Sequence, residues 1–307
     1  MKKLSLLSLL CFVLACETEE STPPDANDLT IVGYAYKTFN ADNNVTDSTF
    51  YELDNNRIVS ASGLNLLSQQ TNSATYSYQS DKIAEVTNFR NGQMTSIRTF
   101  SYAGDDLSEM LLETQTQNGA TYQKWTFDHS AAVTVFLTHS SSSNGINFDN
   151  ALNDSKVILD GNDNRVYFEN FNHANQEITA VSMSFDGDDN PVSENYMSYL
   201  NGSFVSTLTL SGTHDGTVNS LYEIRASTYG KKTLMLLYHL QTNAVNQINA
   251  RTISPNNIDS FATTLNGDFS FEITNQIGQG GFSEMNQFKS YAGSTLLMHF
   301  ETEFLTN

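Results

Sequence analysis

Two acidic stretches carry oxygen-bearing side chains at a spacing a cation could use. Asp160-Gly161-Asn162-Asp163-Asn164 and Asp186-Gly187-Asp188-Asp189-Asn190 place them at positions one, three and five, as calcium loops do. Asp160, Asn162, Asn164, Asp186, Asp188 and Asn190 are therefore the candidate metal ligands. The remainder of the calcium pattern is missing. The sixth position is Arg165 or Pro191 instead of glycine, and the twelfth is Phe171 or Met197 instead of a bidentate glutamate. Asp, Asn and Gly are also the residues that tight hairpin turns select, because they tolerate positive φ and bond their own backbone. The reading that follows is turn chemistry with no cofactor, and calcium is the alternative.

Other chemistry finds little to work with. His129, His139, His173, His214, His239 and His299 show no metal-ligand spacing such as H-E-x-x-H. No G-x-S-x-G elbow supplies a serine nucleophile. Gly278-Gln279-Gly280-Gly281 is glycine-rich but precedes Phe282 and polar residues, which favours a wide turn or bulge over a phosphate loop. Carboxylate pairs for glycoside hydrolysis converge from distant positions, so among many acids any nominated pair is arbitrary. Trp125 shares a face with Phe127, which makes it a core residue before it is a sugar platform. No catalytic residue is assigned, and the expectation is a protein that is not an enzyme.

Charge narrows the partners. The chain has 15 Lys and Arg against 34 Asp and Glu. Such an excess repels nucleic acid and anionic headgroups. At the N-terminus Lys2 and Lys3 precede an apolar run, Leu4 to Leu14, of signal-peptide length and too short to span a bilayer. Residues 1–15 are read as a lipoprotein signal peptide. Residues 16–28 are polar, acidic and contain two prolines, and form a flexible tether. After cleavage Cys16 is the sole cysteine, so no intramolecular disulfide can form.

Residues 29–307 read as one all-β domain. Tyr76-Ser77-Tyr78-Gln79-Ser80-Asp81-Lys82-Ile83 and Thr99-Phe100-Ser101-Tyr102-Ala103-Gly104-Asp105-Asp106-Leu107 are two copies of one unit. Each has two same-face aromatics, a short turn and an aliphatic residue opening the next strand, which is a β-hairpin signature. Anchors at Tyr51, Tyr78, Tyr102, Phe127, Leu159, Phe185 and Leu210 are 27, 24, 25, 32, 26 and 25 residues apart by subtraction, the length of two strands with their connections. Alternation elsewhere, including Leu234, Leu236, Tyr238 and Leu240, extends the pattern. The expected fold is an extended, twisted antiparallel meander of repeated hairpins, curled or folded over its apolar face; a β-sandwich, barrel or propeller is the alternative. Little helix is expected, with Leu64 to Gln70 and Pro255 to Thr264 as the places for it.

Two resemblances add to this. Val13-Leu14-Ala15-Cys16 resembles the lipobox of bacterial lipoproteins, which implies lipidation of Cys16, and Glu17, Glu19 and Glu20 resemble the export signal of Bacteroidetes surface lipoproteins. Phe50-Tyr51-Glu52-Leu53-Asp54-Asn55-Asn56-Arg57-Ile58 and Asn164-Arg165-Val166 resemble the divergent YD/RHS-type repeats of such lipoproteins. What these imply is an outer-membrane lipoprotein, on the cell surface or on the periplasmic face, that presents a β-sheet surface to a glycan or protein partner. The alternative is a glycan-acting envelope enzyme or an accessory subunit of polysaccharide uptake.

Overall fold

The structure, a computed structural model, describes residues 30–238, 240, 253–264, 269–278 and 281–307. The signal peptide, the tether with Cys16, His239, and Gln279 with Gly280 lie outside the described residues. The strands are β1 Ile31–Phe39, β2 Val45–Asp54, β3 Arg57–Asn65, β4 Gln70–Gln79, β5 Lys82–Arg90, β6 Gln93–Ala103, β7 Asp106–Thr116, β8 Gly119–Asp128 and β9 Thr134–Ser142. They continue as β10 Asn150–Leu159, β11 Arg165–Asn172, β12 Glu177–Phe185, β13 Pro191–Leu200 and β14 Ser203–Val218. Two helices follow, α1 Ser220–Tyr229 and α2 Lys231–Leu237, and then β15 Asn256–Thr263, β16 Phe269–Ile277, β17 Ser283–Ala292 and β18 Thr295–Thr306.

All 18 strands form one antiparallel sheet. Each pairs with its chain neighbour from β1 to β15 and from β16 to β18, and β18 pairs with β1. The meander is thus curled into a nearly closed barrel, and the strands after Asn219 continue the same sheet. Among the described residues no ladder joins β15 to β16; there Phe261 and Phe271 approach to 6.1 Å between ring centres.

The curling device is written into the repeat. Asn55-Asn56 and Ser80-Asp81 have positive φ at both central residues, which gives the two-residue turn whose twist matches paired strands. One residue beyond each turn the register shifts, so that Ile58 pairs with Leu53, Ile83 with Tyr78 and Leu107 with Tyr102, and a bulge follows. The extra residue brings Ile58 and Ala61, Ile83 and Val86, and Leu107 and Met110 to the same face although each pair is three apart. Bulges also increase local twist, and a row of them at one end bends a flat meander into a barrel.

Neighbouring units are latched together. The Arg57 guanidinium lies 5.5 Å over the Tyr78 ring and 3.1 Å from Asp81; Lys82 repeats this at 5.3 Å over Tyr102 and 2.8 Å from Asp105. Tyr78 Oη donates to the Ile58 carbonyl at 2.7 Å, and burial pushes that phenol up to about 12. The next unit has Asp106 where the cation stood. Lys232 of α2 takes its place at 2.6 Å, so the break in the repeat is where the helices dock.

An 18-stranded barrel is wide enough to leave a channel unless something fills it. Here α1 and α2 lie inside, against the inward faces of the wall. Tyr222, Tyr229, Leu234, Met235, Leu236 and Leu237 share one apolar cluster with Ile83, Leu107, Trp125, Leu137, Val157 and Val181. Leu221 and Ile224 join Tyr34, Ile58 and Phe304 in a second. The alternation that suggested a strand at Leu234 to Leu240 is corrected here: Lys231–Leu237 is helical, because a helix enclosed on every side is apolar all round and loses its 3.6-residue signature. Asn219 starts α1, its Oδ1 accepting from the Leu221 and Tyr222 backbone N–H groups. Pro255 to Thr264, expected as a possible helix, is strand β15 over most of its length, and Leu64 to Gln70 is strand end and turn.

The wall is largely apolar inward, and much of its outer face is polar, with Phe136, Phe204, Val205, Leu297 and Leu305 exposed among the polar rows. Across β6 to β10, Ser101, Glu109, Thr126, Thr138 and Asp154 are register partners on the outer face. Across β1 to β5, Glu52, Ser60, Thr75 and Thr87 do the same. Outer ion pairs join Lys37 to Glu303 at 2.6 Å and Lys156 to Glu169 at 3.8 Å. Along these rows there is no outward apolar band of the kind by which a barrel crosses a bilayer. No helix among the described residues is long and apolar enough to cross a membrane.

Candidate functional site: a chamber in the barrel lumen

The two ends of the lumen differ. Turns at Asn55-Asn56, Ser80-Asp81 and Asp160 to Asn164 lie at the plugged end, where Asn56 Nδ2 donates to Ser227 Oγ at 3.3 Å and the Ile58 N–H to Thr228 Oγ1 at 3.1 Å. Thr30 and Asn307 meet at that end as well, Thr30 N donating to Asn307 Oδ1 at 3.0 Å. Towards the other end the inward residues become polar. Trp125 stacks on His139 at 4.2 Å, and His139 contacts Gln123 at 3.1 Å and Asn153 at 3.0 Å. Burial holds the His139 imidazole down at about 4, so it is neutral and bridges the two amides. Ser155 Oγ donates to Asn170 Oδ1 at 2.8 Å in the next strands.

A cavity of about 310 Å³ opens on the polar side of the lumen along β2 to β6, a size at the lower end of small-ligand sites. Thr49, Asn72, Asn88 and Arg90 line its outer part; Tyr51, Ala61, Ala74 and Tyr76 line the part nearer the plug. These residues share the luminal face through the pairings Tyr51 with Ala61, Ala61 with Ala74, and Ala74 with Asn88. Tyr34 stacks on Tyr51 at 4.5 Å between ring centres, with the planes 10° apart. Beneath them Arg225 of α1 sits among Tyr34, Tyr51, Tyr76 and Tyr229. Desolvation raises the Tyr51 phenol, and the Arg225 charge works against that rise. The chamber therefore offers amide and hydroxyl groups that donate and accept, flat aromatic walls and the Arg90 guanidinium, with Arg225 behind the tyrosines. Its lining carries no carboxylate.

The candidate calcium ligands occupy the plugged end, far along the strands from this chamber. Asp160 Oδ1 accepts from the Asn162 and Asn164 N–H groups at 2.8 and 2.9 Å, and Oδ2 from Asn164 Nδ2 at 3.1 Å. Asp186 repeats this with Asp188 and Asn190 at 2.9, 2.9 and 3.1 Å. Asp163 and Asp189 have positive φ, so each loop is a self-capped turn. Asp189, which the spacing did not single out, joins the two loops: its Oδ1 accepts from Asn162 and Asn164, and its Oδ2 lies 3.1 Å from Lys231 of α2. Among the described residues no group of three or more His, Cys, Asp or Glu could hold a metal ion.

Among the described residues the histidines do not converge. His129 Nε2 lies 2.8 Å from the Leu107 carbonyl, His173 pairs with Asp154 at 3.0 Å, and His299 stacks on Phe39 at 3.9 Å. His214 is held below its ordinary value by burial, against the pull of Asp186, Asp259 and Asp215. The Arg of Asn164-Arg165-Val166 is fully buried, 4.4 Å over the Tyr238 ring and 5.7 Å over Phe168, and desolvation lowers it to about 10. Sequence reasoning passed over the chamber because its residues are ordinary strand Asn, Thr and Tyr spread over five strands. The one available signal was Arg90 and Arg98, two arginines within the single hairpin of β5 and β6.

What the fold and site define is an 18-stranded antiparallel barrel with an internal two-helix plug and a polar luminal chamber. No protein-family model matches the chain, and no curated protein matches it. Among solved structures the chain is similar to a porin-like protein from Bacteroides uniformis, with 10% identity, a TM-score of 0.45, and coverage of 90% of this chain and 98% of that one. It is also similar to a porin-like protein from Bacteroides vulgatus, with 7% identity, a TM-score of 0.30, and the same coverage. Likenesses of this extent describe those proteins and say nothing of what this chain binds or crosses.

Proposed function

We propose that the protein is a non-catalytic lipoprotein of the bacterial outer membrane that binds a glycan in its luminal chamber. The observation that carries this is the chamber itself: an open polar cavity with tyrosine walls beside the apolar cluster that fills the barrel. Sugars need donors, acceptors and a flat apolar surface together, and Asn72, Asn88, Thr49, Tyr51 and Tyr76 provide all three. The β-sheet surface expected to meet a partner is, on this reading, the luminal face.

Lipidation at Cys16 sets the orientation. Thr30 starts the barrel at the plugged end, so the tether of residues 16–28 draws that end towards the membrane and points the chamber away from it. Fully extended, such a tether reaches on the order of 45 Å. Two experiments test the proposal. Titration of oligosaccharides into the purified mature chain gives saturable heat that Ala74→Trp abolishes by filling the cavity; binding that survives this substitution refutes the luminal site. Palmitate labelling is lost in Cys16→Ala, and equal label in both chains refutes the anchor.

A further inference from the structure

The cations of this protein fall into two groups. Lys37, Arg57, Lys82, Lys124, Lys156, Lys231 and Lys232 each have a carboxylate within 4.0 Å. Among the described residues Arg165, Lys289, Arg90, Arg98 and Arg225 have none at that range. The last three belong to the chamber or its surroundings. Arg90 lines the cavity near the mouth. Arg98 lies in the luminal row Tyr76, Val86, Arg98, two strands from the tyrosine wall, and its Nε is buried without a hydrogen-bond partner. Arg225 lies on the plug near Tyr51 and Tyr76 and engages the Tyr34 phenol, while its Nε is buried without a partner. Asp47, the acid that shares this stretch of the luminal face, is engaged by Asn65 Nδ2 at 3.2 Å and by Thr49 Oγ1 at 3.5 Å.

A buried guanidinium without a counter-charge is costly, and proteins neutralise such groups or reserve them for an anion. Here a chain with a formal charge of −19 keeps three arginines without a carboxylate partner around one concave site, Arg98 and Arg225 half-buried and Arg90 exposed at its mouth. A cleft of one sign focuses its field, so the chamber is a positive pit in a negative surface. Arginine also presents the planar fork that matches a carboxylate in two bonds. Arg90 and the residue in register with Arg98 are four apart along β5, about 13 Å of strand, which suits an extended ligand better than a small ion.

Resting on the glycan-binding role proposed above, we infer that the chamber selects acidic oligosaccharides of the uronic-acid class, with Arg90 and Arg98 taking the sugar carboxylates and Arg225 supplying positive charge behind the tyrosines. The test uses the purified mature chain and two probes of the same linkage, α-1,4-linked trigalacturonate and neutral α-1,4-linked trigalactose, titrated by calorimetry at low and high salt. The acidic sugar binds about tenfold tighter or more at low salt, one good charge-assisted contact, and the advantage shrinks as salt rises. Arg90→Gln with Arg98→Gln removes the advantage, lowering trigalacturonate affinity about tenfold more than trigalactose affinity; Arg98→Lys keeps part of it. If the double variant does not fold, Arg90→Glu alone carries the test, since Arg90 is exposed, and it lowers trigalacturonate affinity selectively. Equal affinity for the two sugars, or an acidic advantage that survives the arginine substitutions, overturns the selectivity and leaves glycan binding standing. Failure of both sugars to bind overturns the selectivity and the glycan reading together.

Discussion

Leu137 and Thr138 are neighbours on β9, and replacing each by lysine should have opposite consequences. Leu137 is 2% exposed and pairs on the luminal face with Phe127 and Ser155. Truncating a buried leucine costs about 2–5 kcal/mol, and placing an ammonium in the same apolar cluster adds several more. The sum is comparable to the whole stability of a typical domain, about 5–15 kcal/mol, so Leu137→Lys should leave little folded protein. Thr138 faces outward between Thr126 and Asp154. Thr138→Lys loses one hydroxyl hydrogen bond, about 0.5–1.5 kcal/mol, and gains a surface cation beside Asp154, about 0–1 kcal/mol. The net change stays within about 1 kcal/mol. Urea unfolding followed by the fluorescence of Trp125, the single tryptophan, reads both. In a barrel whose outer wall faced lipid, the outward lysine would be the expensive one, by about 2–4 kcal/mol at mid-membrane. Equal damage from the two substitutions, or greater damage from Thr138→Lys, would refute the assignment of inside and outside.

Three further outcomes are expected. Asn219→Ala removes the α1 cap and the Nδ2 bond to the Ser254 carbonyl at 2.9 Å, and should lower stability by about 2–4 kcal/mol in the same urea assay; a loss under about 0.5 kcal/mol would mean the plug is not held there. His139 is depressed to about 4 from 6.5, so the unfolded chain binds the extra proton between these values and stability falls as pH drops through that window. Because the ring is part-exposed the effect is discounted to on the order of 1 kcal/mol; His139→Gln should flatten the dependence, and an unchanged pH profile would contradict it. Millimolar calcium should leave the melting temperature unchanged, since Asp160 and Asp186 already cap their own turns; a rise that Asp160→Ala abolishes would restore the metal reading.

The sheet was legible because its period is local. Tyr-x-Tyr, a turn of Asn, Asp or Gly, and an aliphatic residue recur often enough to mark hairpins through β13, and alternation places Trp125, Phe127, Val157 and Leu159 inside. Closure was not legible. It depends on the pairing of β1 with β18 over 277 residues of separation, as between Thr30 and Asn307, and on bulges that make Ile83 and Val86 face the same way against simple alternation. The plug was hidden for a related reason: Thr233 to Leu237 is buried on all sides, so no polar stripe betrays the helical turn. The Asp loops were read correctly for their turn-forming residues, whereas the part of Asp189 in joining both loops to Lys231 needs three segments brought together. The chamber is less visible still, since Thr49, Asn72, Asn88 and Arg90 acquire meaning only from the register of four strands.

The most direct test of the barrel's polarity is partition. The chain from Leu29 onward, expressed without signal or lipid, should fold in detergent-free buffer with a β-sheet circular dichroism spectrum and remain in the aqueous phase of a Triton X-114 separation. It should also fail to bind phosphatidylcholine vesicles. Recovery in the detergent phase, or insertion into those vesicles, would show that the outer wall meets lipid and would contradict a water-exposed barrel that is greasy chiefly within.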